Sequence, residues 1–171
     1  MLKWLILSDI PAHGRDFSFE EKADWENILQ EHGVQYDLQR PMVLNLHVQP
    51  QSDGFLLSGS LEGAVSLPCE RCLQPVEVEA SRRFQVFEEL PAVTDAPLDS
   101  LLRETSGHLE LNIRHMMWEQ FNLSLPAKVL CSPECNGLCP HCGQDLNQAA
   151  CACSKEGTDP RMAVFRQIKI F

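Results

Sequence analysis

Apolar and polar residues alternate most clearly between positions 55 and 67. Phe55, Leu57, Leu61, Val65 and Leu67 fall on odd numbers, and Ser58, Ser60, Glu62 and Ser66 on even ones, with Leu56, Gly59 and Gly63 interrupting the pattern. A period of two with one apolar face predicts a half-buried antiparallel strand, entered through the turn-forming run Gln51-Ser52-Asp53-Gly54. Residues 76–87 carry Val76, Val78, Ala80, Phe84 and Val86 on one face and are predicted to be its hairpin partner. PCERCLQP lies between the two, so Cys69 and Cys72 are expected at the hairpin tip, with their sulfurs projecting beyond the sheet.

The flanking pattern is mixed. Leu2 to Leu7 predicts a short first strand. Ser18-Phe19-Glu20-Glu21 has capping-box spacing, with Ser18 as N-cap. Trp25, Ile28, Leu29 and His32 then recur at helical spacing, and Gly33 supplies a stop. Val34, Tyr36 and Leu38, then Leu44, Leu46 and Val48, predict two further strands. Residues 90–107 hold two prolines and few periodic apolar positions, which predicts a mobile connection in which Leu98, Leu101 and Leu102 make at most one helical turn. Ile113, Met117, Phe121 and Ser124 share a helical face that Pro126 ends, and this stripe is expected to be core rather than a binding groove. Asp159-Pro160 opens a final helix in which Val164, Ile168 and Phe171 share a face. That helix either packs back on the β-rich part or docks RNA or a ribosomal partner. The fold class is α+β: an antiparallel, barrel-like sheet with a few helices and a C-terminal cysteine-rich, zinc-binding segment. The division is 1–107 as a β-rich domain and 108–171 as helix, zinc-binding segment and basic amphipathic tail.

Composition narrows the class. At 171 residues with 44% hydrophobic content, the chain is long enough to bury a core without relying on metal throughout. A formal charge of -10 disfavours broad, non-specific binding to nucleic acid and suits basic partners, ribosomal proteins among them. The apolar run at Trp4–Leu7 is too short for a signal peptide, and no stretch approaches the ~20 apolar residues of a membrane span. The expectation is a cytoplasmic protein with reduced thiols and no membrane partner.

The eight cysteines form four close pairs: Cys69/Cys72, Cys131/Cys135, Cys139/Cys142 and Cys151/Cys153. Each pair can hold two thiolates on one side of a cation, and two pairs complete a tetrahedral shell, so one or two Zn2+ ions are expected. CPHCG has the form of a zinc-ribbon knuckle, in which a tight turn aims backbone N–H groups at the sulfurs. The simplest partition sets Cys139, Cys142, Cys151 and Cys153 around one ion, and Cys69, Cys72, Cys131 and Cys135 around another. Exchanged pairs satisfy the same spacing, so the pairing stays open at this point. The x3 spacing of Cys131 to Cys135 is the least usual, and the run lacks the ferredoxin spacing of an iron–sulfur site. CERC and CPHC also match a redox dithiol, but without its βαβ context.

No phosphate loop, nucleophile elbow or HExxH pattern is present, the six histidines are scattered, and Glu88 and Glu89 read as a solvated strand end. No enzyme and no small-molecule substrate are expected. Closed sulfur sites shape a surface, and zinc in such peptides contributes ~10–16 kcal/mol to folding. Arg71, Arg82 and Arg83 read as a basic cluster near the first knuckle, and Arg161, Arg166 and Lys169 give the tail positive charge. Arg71, Arg161, Arg166 and Lys169 are the candidate partner-binding residues.

CERCLQP on a hairpin, a helix ending in LSLP, then CSPECNGLCPHCGQDLN, CAC and DPR resemble the YceD family of large ribosomal RNA subunit accumulation proteins, most closely over 55–90 and 109–165. The motif falls on Cys69, Arg71, Cys72, Cys131, Cys135, Gly137, Leu138, Cys139, Cys142, Gly143, Cys151, Cys153, Asp159, Pro160 and Arg161. Asn136 stands where the family often has Lys, which removes a positive charge from that loop. The resemblance implies a non-enzymatic ribosome biogenesis factor that supports synthesis, processing or stability of large-subunit rRNA. Its implied partners are a large-subunit precursor, rRNA or a basic ribosomal protein. A zinc-dependent nucleic-acid-binding regulator is the alternative, and a thiol oxidoreductase a third.

Overall fold

The structure, a computed structural model, describes residues 4–90 and 101–153. Leu2, Leu98 and the tail helix expected from Asp159 lie outside the described residues. Within them the order is β1 (Trp4–Ile6), β2 (Arg15–Phe19), α1 (Lys22–Glu31), β3 (Asp37–Pro50), β4 (Gly54–Pro68), β5 (Pro75–Glu89), β6 (Leu102–Thr105), β7 (His108–Asn112) and α2 (Ile113–Ser124). All strand pairings are antiparallel, in a four-stranded sheet ordered β2-β3-β4-β5 and a three-stranded sheet ordered β1-β7-β6.

The α+β class with antiparallel sheets holds; the barrel does not. Neither sheet closes. The apolar face of the larger one is covered by α1, α2 and the smaller sheet, so burial is completed without a closing strand. Leu44, Leu46, Leu57 and Leu61 from β3 and β4, Trp25 and Ile28 from α1, Leu111 from β7, and Met116, Met117 and Phe121 from α2 share one core. The division at 107/108 falls in the turn between β6 and β7.

The β4–β5 hairpin is paired from Gly54↔Glu89 to Pro68↔Pro75. Its predicted inner face is the buried one. The glycines that break the alternation make room for large neighbours: a Cβ on Gly59 would meet the Phe84 ring at 2.8 Å, and one on Gly63 would collide with the Met42 sulfur. At the far end Glu89 is exposed, but Glu88 is half-buried, with Glu119 and His115 of α2 acting on its charge.

Four local expectations are corrected. Ser18 does not cap α1; it lies in β2, donating its hydroxyl to Asn45 Oδ1 at 3.0 Å, and the N-cap is Glu21. Cross-strand pairing with Asn45 outcompetes the local box. The two strands expected at 34–38 and 44–48 are one strand, β3, whose register shifts around Pro41, a residue with no N–H for the ladder. The connection at 90–107 contains β6, followed by a two-residue turn of Ser106 (φ 53°) and Gly107 (φ 79°), the positive-φ pair of a type I′ hairpin. Arg82 and Arg83 sit well along β5 from the knuckle, on opposite faces. Arg82 donates to Gln120 Oε1 at 3.1 Å and to Leu123 O at 3.3 Å, satisfying a glutamine buried in α2.

Helix α2 begins where predicted because the Asn112 side chain accepts from His115 N at 3.1 Å. It stops at Ser124 because Pro126 drives Leu125 into an extended conformation (φ -78°, ψ 144°). The Met/aromatic stripe is buried: Ile113, Met117 and Phe121 each expose 2% or less. No described helix is long and apolar enough to cross a membrane.

Candidate metal centres

The full-length register of β4 and β5 leaves Cys69 to Gln74 as the hairpin tip. Cys69 N donates to Gln74 O at 2.8 Å and Leu73 N to Cys69 O at 2.9 Å, a turn closed with Leu73 at φ 62°. Such a turn points successive N–H groups at the first sulfur. Burial raises the Cys69 thiol, but N–H groups of Cys72, Arg71 and Cys131 outweigh it and bring it down to about 6. For Cys72 the Gln74 N–H acts downward, yet burial and the crowd of neighbouring sulfurs push it up to about 12.

Downstream of α2 the chain is stitched back onto this tip. Glu70 N donates to Val129 O at 2.9 Å, and Val129 N returns to Glu70 Oε1 at 3.1 Å. Arg71 NH1 donates to Cys135 O at 2.7 Å and Pro133 O at 3.3 Å, while Arg71 O accepts from Leu138 N at 3.0 Å. Gly137, at φ 73°, lets the chain pass: a Cβ there would lie 2.9 Å from Arg71 O. The result sets Cys131 and Cys135 against the knuckle. Cys72 and Cys131 sulfurs are 3.6 Å apart, those of Cys69 and Cys135 3.9 Å, and all four lie within 4.8 Å of one another. Zn–S bonds of about 2.3 Å place tetrahedral sulfurs about 3.8 Å apart, so the quartet fits a cation of that kind. The separations are far beyond the about 2.05 Å of a disulfide.

CPHCGQ repeats the same turn. Cys139 N donates to Gln144 O at 2.8 Å and Gly143 N to Cys139 O at 2.9 Å, with Gly143 at φ 73° where the first knuckle has Leu73. N–H groups of Cys142 and His141 lower the Cys139 thiol to about 6, and the adjacent Cys142 sulfur, with burial, pushes Cys153 up to about 12. Cys139, Cys142, Cys151 and Cys153 again lie within 4.8 Å of one another. This site is the more open: Cys142 is exposed and Cys151 and Cys153 half-buried, whereas only Cys131 of the first quartet is exposed.

The loop between the second site's pairs is folded around Asp145 and reaches the first site. Asp145 Oδ1 accepts from Asn147 N at 2.9 Å, and Leu146 N donates to Gly137 O at 2.9 Å. Asn147 Nδ2 donates to Cys135 Sγ at 3.4 Å, and its Oδ1 accepts from Asn136 N at 2.8 Å. Among side chains, burial raises the Cys135 thiol but the Asn147 amide leads the groups that bring it below its ordinary value.

The structure thus brings the eight cysteines into the two quartets of the simplest partition. His141 belongs to neither quartet and is exposed. Arg71 is turned onto the carbonyls of the second strand of chain, and Arg161, Arg166 and Lys169 lie outside the described residues. Asn147 and Glu70 were not singled out from the sequence. The signal for Asn147 was the turn-forming Asp145-Leu146-Asn147 inside a cysteine loop.

Residues 57–169 match the family model described as Large ribosomal RNA subunit accumulation protein YceD. The chain is 33% identical over 125 residues to uncharacterized proteins of Mycobacterium bovis and Mycobacterium tuberculosis, covering 70% of this chain and 58% of theirs. It is 22% identical over 158 residues to a chloroplastic Large ribosomal RNA subunit accumulation protein YCED homolog 1 of Zea mays, covering 74% of this chain and 54% of that one. The chain spans less than two thirds of the length of these relatives. No solved structure matches it. With a family match that runs through both knuckles and over more than half of its length, the chain belongs to the YceD family.

Proposed function

We propose that this protein is a non-enzymatic, cytoplasmic ribosome biogenesis factor that supports large-subunit rRNA synthesis, processing or accumulation through contacts with rRNA or a basic ribosomal protein. The carrying observation is that, in a chain of this family, one cysteine quartet joins the β4–β5 tip to Cys131 and Cys135 and a second gathers Cys139, Cys142, Cys151 and Cys153 beside it. Cys69, Cys72, Cys131 and Cys135 would hold one Zn2+, and Cys139, Cys142, Cys151 and Cys153 a second. Zinc there supplies cross-linking, not reactivity, because four thiolates leave no open coordination position. The chain's own residues prepare the sites: backbone N–H groups at each knuckle stabilise thiolate, Arg71 fastens the crossing strand, and Asn147 steadies Cys135. The formal net charge of -10 favours a basic partner.

A strain depleted of the protein tests the reading. Precursor large-subunit particles are expected to accumulate, and the protein is expected to co-sediment with them. Normal particle profiles together with no association would overturn it.

A further inference from the structure

The outer face of the four-stranded sheet carries none of the core and none of the cysteines. Register lays two polar rows across it: Asp16, His47, Ser58 and Gln85, then Ser18, Asn45, Ser60 and Arg83. Because the middle strands contribute short side chains, these rows floor an open groove of about 620 Å3. Ser18 donates to Asn45 Oδ1, which leaves the Asn45 amide N–H groups without a partner among the described residues.

Two further features set this face apart. Although the chain is strongly acidic, the two rows hold one carboxylate, Asp16, which is engaged by His47 Nδ1 at 2.7 Å; Glu62 follows on the same face one pair beyond Ser60. Of the arginines among the described residues, Arg15, Arg40, Arg71, Arg82, Arg103 and Arg114 all bind carbonyls, an amide oxygen or carboxylates of their own chain. Arg83 alone has no such partner, and it stands at the groove. Phe87 follows on the same face of β5, an aromatic ring 41% exposed.

We propose that this groove binds a short stretch of single-stranded RNA. Arg83 takes a backbone phosphate, the serine hydroxyls and Asn45 amide meet ribose hydroxyls or base edges, and Phe87 stacks a base. The side chains of the two rows, hydroxyl, amide, imidazole and guanidinium apart from Asp16, suit a ligand that carries phosphate and hydroxyl groups better than the apolar centre of a protein contact. The inference rests on the large-subunit role proposed above and locates its rRNA contact.

The test is fluorescence anisotropy of the purified full chain with single-stranded RNA of about 12 nucleotides, and DNA of the same sequence. RNA is expected to bind the tighter of the two. Arg83→Gln is expected to weaken binding about tenfold and reduce the salt slope by about 0.7. Phe87→Ala is expected to weaken it by about fivefold to a hundredfold. Phe87→Leu, which keeps apolar packing beside Gly54, should show a comparable loss. Arg40→Gln removes a cation from outside the groove and should leave affinity nearly unchanged. Wild-type affinity in both Arg83→Gln and Phe87→Leu overturns the proposal. No RNA binding by wild type, with the depletion phenotype intact, overturns the groove and leaves the assembly role standing. Loss of co-sedimentation in Arg83→Gln with unchanged RNA affinity makes the partner a protein and also overturns it.

Discussion

Asn147 Nδ2 donates to Cys135 Sγ at 3.4 Å, so the loop of one cysteine quartet supplies a hydrogen bond to a sulfur of the other. The two centres are therefore not independent beads on a chain. Folding the loop between Cys142 and Cys151 positions an amide that stabilises thiolate in the neighbouring site, and outer-shell partners of this kind tune metal affinity. Asn147→Ala is expected to lower affinity at the first quartet about 10–100-fold and to affect the second less. Competitive titration with a chromogenic chelator checks this; equal losses at both sites would contradict it.

Chelation should release residues 131–153 and leave the two sheets folded. The main core lies among β1–β7, α1 and α2, whereas the cluster at the knuckle consists of Cys69, Cys72 and Cys135 with Val76, Leu130 and Leu138 against it. That small cluster cannot replace the ~10–16 kcal/mol that zinc supplies to such segments. Hydrogen exchange is expected to show lost protection at Cys135, Leu138, Cys139 and Leu146, with β3 and β4 unchanged. Equal protection before and after chelation would refute it.

Leu73 holds φ 62° at the place where the second knuckle uses Gly143. A left-handed leucine carries roughly 1–2 kcal/mol of steric penalty, part of which glycine's greater unfolded-state freedom cancels. Leu73→Gly is expected to stabilise the protein by about 0.5–1 kcal/mol. Gly137→Ala, with φ 73° and Arg71 O in the way, is expected to destabilise it by about 1–3 kcal/mol. Denaturation midpoints of the two variants should move in opposite directions.

Glu88 gives a pH prediction. Burial first, and the charge of Glu119 second, raise its carboxyl above the ordinary value, against an opposing Leu101 N–H. A raised folded pKa means the folded state holds the proton more tightly, so stability from this group is present at low pH and is lost as pH rises through the folded pKa. Glu88→Gln keeps an acceptor for Leu101 and cannot ionise. It is expected to be the more stable protein at pH 7, the difference vanishing below about pH 4. A difference that grows on acidification would disprove the assignment.

Much of this molecule is legible in local pattern. The β4–β5 hairpin, its buried face, the stripe of α2 and the cysteine pairs all follow from alternation, helical spacing or a turn a few residues long. Ser18 shows where such reading fails: the capping box is locally sound, but an unforeseen strand, β2, claims the residue for Asn45. The β6–β7 hairpin was missed for a similar reason, since strands this short become strands only by pairing with distant β1.

By itself, the sequence determined the knuckles, the faces of the long strands and the family, because each depends on residues close together along the chain. Only the tertiary structure decided that the sheets stay open, that Asn147 serves the other quartet's sulfur, and that Arg83 has no partner among the described residues where it ends a polar row of the outer face. Those outcomes are set by register and long-range packing, where a group's partner is whichever one the completed core leaves within reach.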